Sequence, residues 1–148
     1  MKYKEILDHL APCGLNCSKC FACTRGDIAN HSRELKSLLG NFDVYADRFS
    51  KFLPAFKDYP PFKRMLDHLA EPDCKGCREG TCKYPNCGVV DCYREKGVDF
   101  CFQCEDFPCE NSNFDPHLKA RWISMNRRMK EIGVEAYFEE TKDLCRYI

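Results

Sequence analysis

The sequence predicts a mainly α, single-domain fold in which helices are joined by metal-stapled, cysteine-rich loops, with a small α+β variant left open. Three observations lead there. Cysteine-free stretches carry apolar residues at steps of three and four, as amphipathic helices do. Twelve of the thirteen cysteines fall in blocks between those stretches. The length of 148 residues sits within the usual size of one domain and allows a modest core, so residues 1–148 are read as one cysteine-rich metal-binding unit.

The helices follow in chain order. In DIANHSRELKSLLG, Asp27 is the expected N-cap, Ile28, Leu35, Leu38 and Leu39 share a face, and Gly40 stands where a C′ glycine belongs. In NFDVYADRFSKFLPAF, the residues Phe42, Tyr45, Phe49, Phe52 and Phe56 form one aromatic stripe, ended or kinked at Pro54. After Tyr59-Pro60-Pro61 a short helix with Phe62, Met65, Leu66 and Leu69 stops at Glu71-Pro72. Asp115-Pro116 opens another as N-cap and N1 proline, burying Leu118, Trp122, Met125 and Met129, and Gly133 ends it. A last helix holds Tyr137, Leu144 and Ile148, with Cys145 beside them as a small buried hydrophobe. These stripes read as core. Strands are expected at most as short hairpins at C-x2-C turns.

Compartment decides how so many cysteines are read. MKYKEILDHLAPC is broken by Lys4, Glu5, Asp8 and His9 before any apolar run reaches signal-peptide length, and nothing approaches eighteen consecutive apolar residues. The expectation is a cytoplasmic protein without a membrane span, in agreement with a mean hydropathy of -0.54. There thiols stay reduced, and clustered C-x2-C pairs point to metal ligands rather than disulfides. The 23 basic and 23 acidic side chains cancel, so no bulk field recruits nucleic acid or an anionic membrane. Thiolate ligation would leave the loaded protein acidic, which argues further against nucleic acid.

The leading block, LAPCGLNCSKCFAC, holds Cys13, Cys17, Cys20 and Cys23 within eleven residues. From Cys74 the text runs CKGCREGTCKYPNCGVVDCYREKGVDFCFQCEDFPC, with eight cysteines: Cys74, Cys77, Cys82, Cys87, Cys92, Cys101, Cys104 and Cys109. The spacing of five from Cys77 to Cys92 matches neither helix nor strand, which places these residues largely on loops that can wrap a tetrahedral centre. Cys74-x2-Cys77-x4-Cys82 recurs as Cys101-x2-Cys104-x4-Cys109. Cys87 completes the first copy in zinc-knuckle-like spacing, and Cys92 is available to complete the second. Four ligands in eleven residues strain one tetrahedron, so exchange between the leading block and a distant cysteine such as Cys109 stays open. Gly14, Gly76 and Gly88 lie beside these ligands where a positive φ would turn amides toward sulfur, and Phe21, Phe102 and Phe107 are candidates to shield them.

All-thiolate sets suit zinc or iron–sulfur clusters, not the oxygen-seeking magnesium or calcium. Two or three zinc ions are the leading expectation, with a [4Fe-4S] cluster as the alternative. Cys13-x3-Cys17-x2-Cys20 has radical-SAM spacing, but this chain is too short for the partial barrel of those enzymes. Cys17-x2-Cys20-x2-Cys23 lacks the C-x3-C-P that a ferredoxin run needs. No catalytic motif is found: His9, His31, His68 and His117 belong to no metalloprotease or deaminase pattern and are read as surface or capping residues. Arg121, Arg127, Arg128 and Lys130 read as a solvated basic face, with Glu131, Glu139 and Glu140 close by.

The segments APCGLNCSKC, CKGC and CYREKGVDFCFQCEDFPC, together with the C-terminal RRMKEIGVEAYFEE, resemble the bacterial and archaeal family catalogued as domain of unknown function 3795. The resemblance implies a cysteine-rich, zinc-binding protein without an assigned biochemical role, and it carries over no catalytic residue. The resulting expectation is a zinc-stabilised interaction or adaptor module with a protein partner. An iron–sulfur redox accessory is the competing class.

Overall fold

In the computed structural model, which describes residues 1–148, seven α-helices alternate with irregular cysteine-bearing segments. They are α1 (Tyr3–Ile6), α2 (Asp27–Leu39), α3 (Phe42–Phe49), α4 (Tyr59–Ala70), α5 (Val89–Glu95), α6 (Pro116–Ile132) and α7 (Val134–Thr141). The mainly α class is therefore correct. No strand forms; two isolated bridges, Leu10 with Asn16 and Cys23 with Cys74, take the place of the hairpins left open from the sequence. No helix is long and apolar enough to cross a membrane.

The best-formed helix has the clearest local signals. Asp115 accepts the Leu118 amide at 3.0 Å, Pro116 supplies the first turn, and Gly133, at φ 86, turns the chain straight into α7. The buried face of α6 is Trp122, Asn126 and Met129. Met129 joins Ile6, Leu10, Phe100, Val134, Tyr137 and Phe138 in one core cluster, which seals α1, α6 and α7 together. A second cluster lies toward the other end of α6. There Ala11, Leu15, Val89 and Trp122 pack with Cys13 and Cys17, and Cys77, Cys87, Cys101 and Cys109 line its edge.

Helices α2, α3 and α4 form a separate packing unit. Helices α2 and α4 lie along each other, but the face α2 buries is Ala29 and Ser32, not the leucine stripe. Leu35 is exposed and Leu38 is 85% exposed. Small residues let the two backbones approach closely, and that pushes the leucines outward. Asp27 is the first helical residue after the Gly26 cap, not the cap itself, and its carboxylate pairs with Lys19 at 2.6 Å. Helix α3 ends at Phe49 rather than at Pro54, because the proline forces Leu53 into extended backbone (φ -122, ψ 93). The aromatic stripe folds back on itself: Phe42 stacks on Phe49 at 6.0 Å and meets Tyr59 edge-on at 5.2 Å. Helix α4 starts at Tyr59 with both prolines in its first turn and leaves Phe62 and Met65 exposed.

Two helices carry no sequence expectation. Helix α1 is a single turn, and α5 lies inside the cysteine run, so Cys92 rides on a helix rather than a loop. Beyond Thr141 the chain leaves helical form. Leu144 and Ile148 are exposed, and so is Cys145, which is not the buried hydrophobe its helical context suggested.

Candidate metal-binding site

Three of the C-x2-C pairs are each shaped by a single tight turn. The Cys20 amide bonds the Cys17 carbonyl at 3.0 Å, the Cys23 amide the Cys20 carbonyl at 3.1 Å, and the Cys104 amide the Cys101 carbonyl at 3.1 Å. In such a 3₁₀ turn residues i and i+3 eclipse, so both sulfurs of a pair leave the backbone on one side. Asn16 caps the first turn by accepting the Ser18 amide at 2.9 Å. Gln103 returns its side-chain oxygen to the Asp99 and Phe100 amides, both at 2.9 Å.

Cys74 and Cys77 do not form such a pair. Gly76, at φ 124, separates them, and a new turn starts at Cys77. Cys74 instead bridges Cys23: its amide bonds the Ala22 carbonyl at 3.0 Å, and its carbonyl accepts the Thr24 amide at 2.9 Å. The two sequence copies are thus not equivalent in space.

Three neighbourhoods result. In the first, thiol contacts run from Cys17 to Cys77, on to Cys82 and on to Cys87, with Cys13 close to Cys17 and Cys82. Hydrogen bonding by Cys77 lowers Cys17 to about 6, while the bonds Cys77 makes to its two neighbours raise it. Cys82 is lowered and Cys87 raised by the same alternation. Sulfurs this close cannot all ionise without a counter-charge, and a divalent cation supplies one. In the second neighbourhood Cys23 faces Cys74, Cys20 and Cys17, and Thr81 donates to the Cys74 sulfur at 3.5 Å. In the third, Cys92, Cys101, Cys104 and Cys109 line one cavity of about 30 Å³ beside Phe107 and Trp122. That foursome is the second copy completed by Cys92. The first copy loses Cys74 to the leading block, while Cys109 lines the third cavity. As they stand, the thiols are neighbours, and no three cysteine, histidine or carboxylate groups enclose a common centre.

The scaffold around the thiols favours ligation. Trp122 is 1% exposed, and its indole Nε1 has no hydrogen-bond partner. The indole lies at the Cys101 sulfur and draws its pKa down, against the burial that pushes it up to about 12. A thiolate at Cys101 would give that N–H a charge-assisted bond. Asn126, wholly buried, donates to the Cys13 carbonyl at 2.9 Å and accepts the Phe102 amide at 3.0 Å, tying the leading block to the Cys101 turn. Gly88 has no positive φ; it is required because a Cβ there would lie 1.7 Å from the Asn111 carbonyl. Gly14 does take φ 92, as its turn demands.

Phe107 shields the third neighbourhood edge-on against Trp122 at 5.0 Å, while Phe102 stacks on Phe100 and Phe21 is partly exposed. Arg128 pairs with Glu131 and Glu140 on the solvated face of α6, but Arg121 turns inward to bond the Arg146 carbonyl at 2.9 Å. Arg146 in turn donates to the Asn16 carbonyl at 2.8 Å, and Tyr147 reaches the Cys20 sulfur at 3.8 Å. His9 contacts Ser18 at 2.5 Å and Phe138, and His31 pairs with Glu34.

Fold and site together define a helical, cysteine-rich protein whose thiols gather in three groups, one of them beside a buried indole. The chain belongs to the family described as protein of unknown function (DUF3795), whose model matches residues 9–114. The matched stretch holds all twelve clustered cysteines, and the Arg127–Glu140 resemblance lies beyond it. No curated protein and no solved structure matches the chain.

Proposed function

We propose that this chain is a structural zinc-binding protein, a single metal-stapled domain of the cytoplasm that acts by binding another protein. The observation that supports it most is the third neighbourhood: four thiols around one small cavity, with an unpartnered indole N–H beside Cys101. Sulfur donors alone fit zinc or an iron–sulfur cluster, and C-x2-C turns spread through loops favour structural zinc. The interaction role rests on the α2–α4 unit, where Leu38, Val44, Phe52, Phe62 and Met65 remain exposed. Exposed charges of both signs, among them Asp43, Arg48, Lys51 and Arg64, lie on the same stretch of chain. Several large apolar side chains left in water on one small unit favour a protein-binding role for it.

Elemental analysis with a visible spectrum, on protein purified without oxygen and without added metal, tests this. Two or three zinc per chain and a colourless solution are expected. Iron with a broad charge-transfer band would replace zinc with a [4Fe-4S] cluster and the adaptor with a redox accessory.

A further inference from the structure

The segment after α7 has no helical role, yet it sets a guanidinium, that of Arg146, against the leading cysteine block. Arg146 lies close to the thiols of Cys13, Cys17, Cys20 and Cys82. It forms no ion pair with any carboxylate, and neither does Arg121, which holds its carbonyl. Both arginines line the cavity of about 170 Å³ into which Cys13, Cys77, Cys82 and Cys87 open. A partly buried guanidinium favours a negative partner beyond the single Asn16 carbonyl it bonds, and the groups beside it that can carry negative charge are the sulfurs and Tyr147. The neighbouring tyrosine repeats the pattern. The Tyr147 hydroxyl accepts the Phe21 amide at 2.9 Å and donates toward the Cys20 sulfur at 3.8 Å.

We propose that residues 142–148 form a clasp over the thiolate cluster, with Arg146 as its counter-charge and Tyr147 as a hydrogen-bond donor to Cys20. This rests on the metal-binding reading above and adds positioning residues to it, both outside the segment the family model matches. A zinc ion held by four thiolates keeps two net negative charges, so a fixed guanidinium stabilises the loaded state more than the empty one. The coupling is reciprocal: whatever factor the clasp adds to metal affinity, metal adds to the docking of the clasp. Metal exchange at this cluster is then gated by release of one short segment.

The test compares wild type, Arg146→Gln, Arg146→Lys and Tyr147→Phe, each loaded with zinc alone. Zinc affinity is read by competition with a chromophoric chelator, and exchange at the 142–148 amides is read with and without zinc. Arg146→Gln is expected to weaken zinc roughly tenfold to a hundredfold, the usual range for groups just outside a metal's ligands. Arg146→Lys should recover part of it, keeping the charge but losing the fork that bonds Asn16; a purely structural role would give no such rescue. Zinc should slow exchange of the segment in wild type, and this protection should disappear in Arg146→Gln. Tyr147→Phe should speed alkylation of Cys20 at unchanged zinc stoichiometry. If wild type binds zinc and Arg146→Gln binds it within twofold as tightly, the clasp is wrong and the metal reading stands. If wild type binds no metal, both fall.

Discussion

The cysteine-bearing segments and the α2–α4 unit solve the same problem with different chemistry. Helices α2 to α4 carry no cysteine and close over rings: Phe42, Phe49, Phe56 and Tyr59 lie within 5.2–6.0 Å of one another in successive pairs. The segments 10–23 and 74–109 contain one short helix and otherwise single turns, with sulfur in place of a broad apolar interior. Irregular backbone of this kind buries too little apolar surface to offset its conformational entropy. An ordered loop therefore implies a second source of free energy, and the thiol groups are where it can enter. The comparison yields a ranking of sensitivities.

The largest effect expected is loss of metal. Structural zinc in small peptides is worth about 10–16 kcal/mol, comparable to the net stability of a whole domain. Chelation under reducing conditions should abolish hydrogen-exchange protection across residues 74–109 and leave more of it across 27–70. Acid should do the same, since protons compete for thiolates: stability falls as pH falls, the sign opposite to that of a site held by neutral packing. Uniform loss across both segments would show that they fold as one and that the comparison fails.

Next in size is removal of one thiol. Cys101→Ser should lower metal content by one ion and reduce the melting temperature, and fluorescence of the single tryptophan should change with it, because Trp122 sits at that sulfur. Cys145→Ser, at an exposed cysteine outside the three groups, should change neither. Equal behaviour of the two variants would remove Cys101 from the ligand set.

These two predictions separate what the sequence displays from what only the fold creates. Residue type and spacing identify twelve cysteines, and the Asp115-Pro116 start and Gly133 stop of α6 are local signals. Grouping is different. Cys74 leaves its C-x2-C partner because Gly76 turns the chain at φ 124 and pairing with the 22–24 backbone captures it; that competition is long-range. The leucines of α2 misled for a related reason, since periodicity defines a face but not which face meets α4. Arg146 carried no signal at all. Asn126 did carry one, as a polar residue between Trp122 and Met129 on an otherwise apolar stripe.

Asn126→Ala therefore sharpens the comparison at the joint between core and thiols. It strands the Phe102 amide and the Cys13 carbonyl beside a fully buried position, a cost of about 2–6 kcal/mol at about 1–3 kcal/mol for each orphaned group. Urea melts should show that loss, and zinc affinity should fall with it because the two cysteine turns are no longer fixed to α6. Loss of stability without loss of affinity would make Asn126 a core residue only.

The smallest effect on stability is the most informative about function. Leu38 is 85% exposed, so Leu38→Ser should shift the urea midpoint by an amount equivalent to less than about 0.5 kcal/mol, as surface substitutions do. The half-buried Phe42, which touches Phe49, Phe56 and Tyr59, should by contrast cost about 2–3 kcal/mol as alanine, below the range for a fully buried ring. If both hold, folding of the α2–α4 unit gives no reason to keep a leucine in water at that position. Its apolar face is then free to serve the proposed interaction. A Leu38→Ser loss as large as that of Phe42→Ala would mean the face is already covered in solution, and the interaction reading of this unit would have to be abandoned.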